Sequence, residues 1–150
     1  MNQGKPATIL MAEDDPDDRY LSREALEEAR LTNELRFVED GVELMQYLHR
    51  EGHYSNPEDS PRPDLILLDL NMPRKDGREA LKEIKDDPYL RLIPVVVLTT
   101  SRAEEDILRT YDLGVSGYIT KPVKFEDLIQ VMKAIGRYWF QVVALPSIDD

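Results

Sequence analysis

Cysteine is absent from the 150 residues, which excludes disulfide frameworks, thiolate metal sites and cysteine nucleophiles. No apolar run approaches the roughly 18 residues that a membrane-spanning helix requires. The first apolar stretch, Thr8 to Ala12, is too short for a secretory signal, and the six residues Glu13 to Asp18 that follow carry five carboxylates. A cytoplasmic location is the expectation. Histidine is scarce: His49 and His53 are the only two, and neither has a second ligand at metal-binding spacing. Both read as surface residues. Basic residues are outnumbered 19 to 30 by acidic ones, and the net charge is −11. Such a field repels phosphate backbones and anionic lipid, so neither nucleic acid nor membrane is an expected partner. Internal repeats and low-complexity tracts are also missing.

What is present is globular in character, with 41% hydrophobic and 33% charged residues. The length fits one domain able to bury roughly 70% of its unfolded surface. Short apolar runs recur at Ile9–Ala12, Leu35–Val38, Leu65–Leu68, Val95–Leu98 and Gly117–Ile119. Three of them are continuous, as expected of strands buried on both faces. Amphipathic stretches lie between and after them: Pro16–Arg30, Gly41–Arg50, Asp76–Asp87, Arg102–Leu113 and Phe125–Val143. Strand and helix alternate five times, which predicts a doubly wound parallel α/β sheet. Asp15 is placed to cap the first helix, with Pro16, Asp17 and Asp18 in its first turn. Gly114 marks the end of the fourth helix, and Pro88 limits the third. Residues 51–63 hold three prolines and read as a long surface loop. In the last helix Phe125, Leu128, Ile129, Met132, Ile135, Trp139, Phe140 and Val143 form one apolar stripe, which Pro146 ends.

Ligands of open parallel sheets bind at the carboxyl ends of the strands. Glu13 and Asp14 follow the first predicted strand, and Asp69 ends the third, followed by Leu70-Asn71-Met72-Pro73. Thr99-Thr100-Ser101 ends the fourth, and Thr120-Lys121-Pro122 follows the fifth. Capping accounts for Asp15, Asp17 and Asp18 but not for Glu13 and Asp14, which precede the cap. Three carboxylates on one rim repel each other by roughly 4 kcal/mol per pair at about 4 Å and an effective dielectric of about 20. A divalent cation relieves that repulsion. Oxygen-only ligands select a hard ion, and few protein ligands suit Mg²⁺ better than Ca²⁺. A carboxylate beside such an ion, a lysine and a hydroxyl is a phosphoryl-transfer arrangement, with the carboxylate as nucleophile.

The segments Ile9-Leu10-Met11-Ala12-Glu13-Asp14-Asp15, Leu65-Ile66-Leu67-Leu68-Asp69-Leu70-Asn71-Met72-Pro73, Val95-Val96-Val97-Leu98-Thr99-Thr100-Ser101 and Gly117-Tyr118-Ile119-Thr120-Lys121-Pro122 occur in order. Together they resemble the receiver domain of two-component response regulators, over about residues 6–136. The resemblance implies a flavodoxin-like five-stranded sheet in the order 2-1-3-4-5. It also implies that Asp69 accepts a phosphoryl group from a phosphohistidine, and that Asp14 and Asp69 bind Mg²⁺ through side chains. Asn71 is then expected to bind the ion through its backbone carbonyl, and Glu13 through a water. Lys121 is expected to pair with the phosphoryl oxygens, Thr99 to move onto the phosphate, and Tyr118 to change rotamer with it. Lys121–Pro122 is expected to be a cis peptide. One departure is Thr100, where the family usually has a very small residue; the larger side chain is expected to slow access to the site.

Read this way, residues 1–150 are a single receiver domain with a helical extension from about residue 137 and no output domain. The expected function is a phosphorelay component that signals by protein contact or passes the group to another phosphotransfer protein. The Tyr138-Trp139-Phe140-Gln141 extension and the 51–63 loop resemble regulators paired with phytochrome histidine kinases, implying such a kinase as donor and a homodimer. The continued apolar stripe beyond Ile135 is expected to meet a partner or a second copy. Two other classes fit this sequence less well: a receiver-like binding module that is never phosphorylated, and an enzyme on the same fold. The first leaves the full acid, threonine and lysine set without a purpose. Against the second, no phosphate-binding loop follows the first strand, and Asn71 stands where an aspartyl-phosphate hydrolase has an acid.

Overall fold

The apolar runs form the strands of one sheet. The computed structural model describes residues 7–142, with side chains as far as residue 140; the expected stripe position Val143 and the stop at Pro146 lie outside the described residues. The strands are β1 (Thr8–Ala12), β2 (Glu34–Val38), β3 (Leu65–Leu68), β4 (Val95–Thr99) and β5 (Gly117–Thr120). All pairings are parallel and the order is β2-β1-β3-β4-β5, as the resemblance implied. The three continuous runs are the three central strands, buried at every position. The edge strands β2 and β5 are only partly covered. Side chains of successive strand residues point to opposite faces. Leu10, Ile66, Leu68, Val95 and Val97 therefore join one core, and Ile9, Met11, Leu65, Leu67, Val96 and Leu98 another.

Five helices cover these faces: α1 (Pro16–Glu28), α2 (Gly41–His49), α3 (Gly77–Asp86), α4 (Glu104–Asp112) and α5 (Phe125–Arg137). The caps set their starts. Asp15 accepts from the Asp17 N–H at 2.8 Å, and Asp40 from the Glu43 N–H at 2.8 Å. Asp76 and Glu79 bond reciprocally as a capping box, so Asp76 precedes α3 rather than beginning it. Gly114 has φ +101°, the left-handed conformation that suits glycine after a helix. α4 starts two residues later than the pattern predicts, because Ala103 is extended.

Two regions differ from the expectation. The α-helical hydrogen bonding of the last helix stops at Arg137, and Tyr138–Val142 form a π-helical turn. The consecutive residues Trp139 and Phe140 both pack on the core of Ile9, Met11 and Ile135. The aromatic end of the stripe is thus covered in large part by this chain itself, and Tyr138, which lies off the stripe, is exposed. Residues 51–63 contain two 3₁₀ turns, Gly52–Tyr54 and Pro57–Asp59, and are tied down. Ser60 is buried, with its hydroxyl donating to the Tyr54 carbonyl at 2.8 Å. The Tyr54 hydroxyl donates to Glu43 at 2.6 Å, and the Tyr47 and Tyr54 rings lie 5.0 Å apart. His49 and His53 are exposed, as predicted.

Candidate functional site

All four rim segments meet at the carboxyl edge of the sheet, and the sheet's own hydrogen bonds place them. The Glu13 N–H donates to the Val38 carbonyl at 2.9 Å, Asp69 to Ala12 at 3.1 Å, and Lys121 to Thr99 at 2.7 Å. Each of these three residues is therefore the first past its strand, held by a rung of the ladder. Glu13, Asp14 and Asp69 converge so that one carboxylate oxygen from each lies within 4.8 Å of the others. At that separation two full charges repel by about 3.5 kcal/mol at an effective dielectric of about 20. Glu13 and Asp69 are buried, whereas Asp14 is exposed.

Lys121 answers part of this charge. Its ammonium donates to Glu13, to Asp18 at 2.9 Å and to Asp69 Oδ2 at 3.1 Å. Burial pulls the ammonium's pKa down, but the bonds to Glu13 and Asp18 outweigh it and hold the group charged. The Glu13 carboxyl is pushed up to about 7, chiefly by burial and further by Asp69, with the Lys121 bond opposing. One ammonium among four carboxylates leaves an excess of negative charge facing a set of oxygens with no nitrogen or sulfur ligand. The donor set fits a hard divalent cation.

Asp69 is fully engaged. Its Oδ1 accepts from the Thr99 hydroxyl at 2.7 Å and from the Asn71 N–H at 3.2 Å. Thr99 is completely buried. Tyr118 is half-buried against the Leu10 core, and its hydroxyl donates to the Ser101 carbonyl at 3.0 Å. The Lys121–Pro122 bond is trans, like every described peptide bond, and not the expected cis form. Trans is the lower-energy isomer of X–Pro by about 0.5–1 kcal/mol, and Lys121 reaches Glu13, Asp18 and Asp69 from it.

The structure thus brings together Glu13, Asp14, Asp69, Thr99 and Lys121, with Asn71 and Tyr118 alongside. It adds three residues the sequence reading passed over. Asp18, explained there as a helix-dipole acid, is a Lys121 partner, and no local pattern marks that link across 103 residues. Arg78 and Asp106 form a two-bond ion pair beside the site, with both bonds 2.7 Å. Arg78 pulls the Asp106 carboxyl down to about 2. No local pattern marks that pair, whose members are 28 residues apart.

Comparison with known proteins agrees with this geometry. The response regulator receiver domain family matches residues 9–133. Response regulator Rcp1 of Synechocystis sp. is 46% identical over 95% of this chain and 95% of its own. The crystal structure of the phosphorylated cyanobacterial phytochrome response regulator RcpA superposes with a TM-score of 0.87 at 49% identity, covering 95% of this chain and 99% of that one. The Mn²⁺-bound form of Rcp1 gives a TM-score of 0.85 at 46% identity, over 95% and 100% of the two chains. Among the described residues no helix is long and apolar enough to cross a membrane. The acidic edge of a 2-1-3-4-5 sheet, its lysine and its buried threonine are those of a two-component signalling protein, and this chain belongs to the response regulator receiver domain family.

Proposed function

We propose that Asp69 is a phosphoacceptor and that this chain is the cytoplasmic receiver of a phytochrome-type histidine kinase. The observation that carries the reading is the position of Asp69: one oxygen lies on Lys121 and the other on Thr99, with Glu13 and Asp14 within ligand distance. An Asp69 oxygen attacks phosphorus, the bond to the donor histidine nitrogen breaks, and that nitrogen leaves with the electron pair and takes up a proton. Asp14, Asp69, the Asn71 carbonyl and, through water, Glu13 would hold Mg²⁺, which when bound neutralises the phosphoryl oxygens. Lys121 supplies a fixed positive charge for the same oxygens, and the Thr99 hydroxyl a hydrogen bond. Tyr118 follows Thr99. Dephosphorylation is self-catalysed at the same site: a water oxygen attacks phosphorus, the Asp69–phosphorus bond breaks, the carboxylate leaves with the electron pair, and inorganic phosphate is released.

The phytochrome donor is supported by the relatives: RcpA is described as a phytochrome response regulator and is 49% identical. Residues 1–150 read as one receiver unit, which signals through protein contacts or onward transfer. The exposed residues Leu108, Tyr111 and Tyr138 offer apolar surface for a homodimer or a downstream protein. Incubation with acetyl phosphate and Mg²⁺ tests the central step. One phosphoryl group per chain is expected by intact-mass spectrometry, and none on Asp69→Asn. Normal labelling of that variant overturns the assignment.

A further inference from the structure

Ser101 lies two residues past the end of β4, and three of its groups are engaged. Its hydroxyl donates to Asp106 Oδ2 at 2.7 Å. Its carbonyl accepts from the Tyr118 hydroxyl at 3.0 Å. Its N–H points at Thr99 Oγ1 from 3.5 Å, and that same hydroxyl donates to Asp69. Ser101 is therefore the hub between the two switch side chains. What fixes Ser101 is Asp106, and what fixes Asp106 is Arg78. Arg78 Nε donates to Oδ1 and Nη2 to Oδ2, so the planar fork meets the carboxylate with both bonds. The two side chains are only 27% and 16% exposed, so water competes weakly for them. Arg78 also leans on the segment after Asp69, with Nη1 donating to the Leu70 carbonyl at 3.4 Å. A continuous set of contacts runs from α3 across the site to α4, Ser101, Thr99 and Tyr118.

The helix dipole explains an acid near the start of α4, where Glu104 and Glu105 also lie. It does not explain a two-bond arginine from another helix, nor a serine hydroxyl on the same carboxylate oxygen.

We infer that Arg78 and Asp106 are positioning residues for the phosphorylation switch: their ion pair fixes Ser101, so that the Thr99 hydroxyl faces Asp69 and Tyr118 stays turned inward before a phosphoryl group arrives. The inference rests on the reading of Asp69 as phosphoacceptor. Without the pair the 100–103 segment samples other arrangements, and an incoming phosphoryl group must order it. The apparent affinity for a phosphoryl mimic then falls by the fraction of molecules still correctly arranged; a fall of that fraction to about one fifth weakens binding about fivefold.

Beryllofluoride is the probe. Its adduct on Asp69 is titrated by ¹⁹F NMR at saturating Mg²⁺ in wild type, Arg78→Ala, Asp106→Ala, the double variant and Arg78→Lys. Each single alanine is expected to weaken the adduct about fivefold, with the double no weaker than either, because the two residues act as one unit. Mg²⁺ affinity should stay within about twofold, since neither residue reaches the acidic cluster. Arg78→Lys keeps the charge but not the fork, and should recover part of the loss. Wild-type affinity in folded alanine variants, or losses that add, overturns the inference. If the alanine variants do not fold, Arg78→Lys decides: a loss of about twofold or more supports it, and wild-type affinity overturns it. A wild-type chain that forms no adduct, or an adduct that persists in Asp69→Asn, overturns the phosphoacceptor reading and this inference with it.

Discussion

Gly77 opens α3 directly against the carbonyl of the proposed phosphoacceptor. A Cβ there would lie 2.2 Å from the Asp69 carbonyl oxygen and 2.7 Å from Leu70 Cα. The Gly77 N–H donates to the Leu70 carbonyl at 2.9 Å, so the helix start cannot back away without breaking that bond. Ordinary contact needs about 3.5 Å, so Gly77→Ala must move backbone by roughly 1 Å. Overpacking of that kind costs up to about 3 kcal/mol, and the better helix propensity of alanine returns up to about 1 kcal/mol. The net loss, about 2 kcal/mol, corresponds to a melting point roughly 4–8 °C lower at this chain size. A misplacement of about 1 Å at a reacting group also slows reaction by as much as about 100-fold. Calorimetry and the rate of labelling by acetyl phosphate measure the two effects. Gly136→Ala is the control: its Cβ would meet Leu31 Cδ1 at 2.6 Å, the end of a flexible side chain that can turn away. That variant should lose less than about 1.5 kcal/mol and label normally. If Gly77→Ala melts and labels like wild type, the close approach of α3 to Asp69 does not constrain the site.

Lys121→Met removes the cation from three carboxylates and should destabilise the metal-free protein by about 3 kcal/mol. Saturating Mg²⁺ should then raise its melting point more than that of wild type; an equal rise would show that Lys121 and the cation do not answer the same charge. Thr100 is exposed at the mouth of the site, and Thr100→Ala should speed labelling roughly threefold, about 0.65 kcal/mol of barrier; slower labelling contradicts a screening role. Asp106 titrates at about 2 in the fold against an ordinary 3.8, because Arg78 favours its charged form. Its contribution to stability is complete above pH 4 and disappears as pH falls through about 2. The stability gap between wild type and Asp106→Asn should therefore narrow from pH 4 to pH 2, and a constant gap contradicts the pairing.

The sheet was readable in the sequence because its central strands are covered on both sides and need unbroken apolar runs. The rim was readable for a related reason: each functional side chain stands immediately after such a run, where the parallel topology collects them. Asp18 was hidden by a sufficient local explanation, since an acid in the first turn of a helix needs no other. Arg78 and Asp106 sit on different helices, and nothing in either segment announces the other. The end of the last helix was read as regular α-helix to Val143, whereas the α-helical hydrogen bonding gives way to a π-helical turn after Arg137. In the structure Trp139 and Phe140 nevertheless pack on the core together, as members of one stripe do.

The ladder bonds made by the Glu13, Asp69 and Lys121 amides have a dynamic consequence. The Asp69 amide can exchange with solvent only if the central strands β1 and β3 come apart, whereas the Glu13 and Lys121 amides need only the edge strands β2 and β5 to open, so Asp69 should be the best protected of the three. The Asp69 anchor is thereby the most rigid of the three points that hold the site. The phosphorylation switch proposed above is therefore carried by side-chain rotation and by the 100–103 segment, which leads into α4.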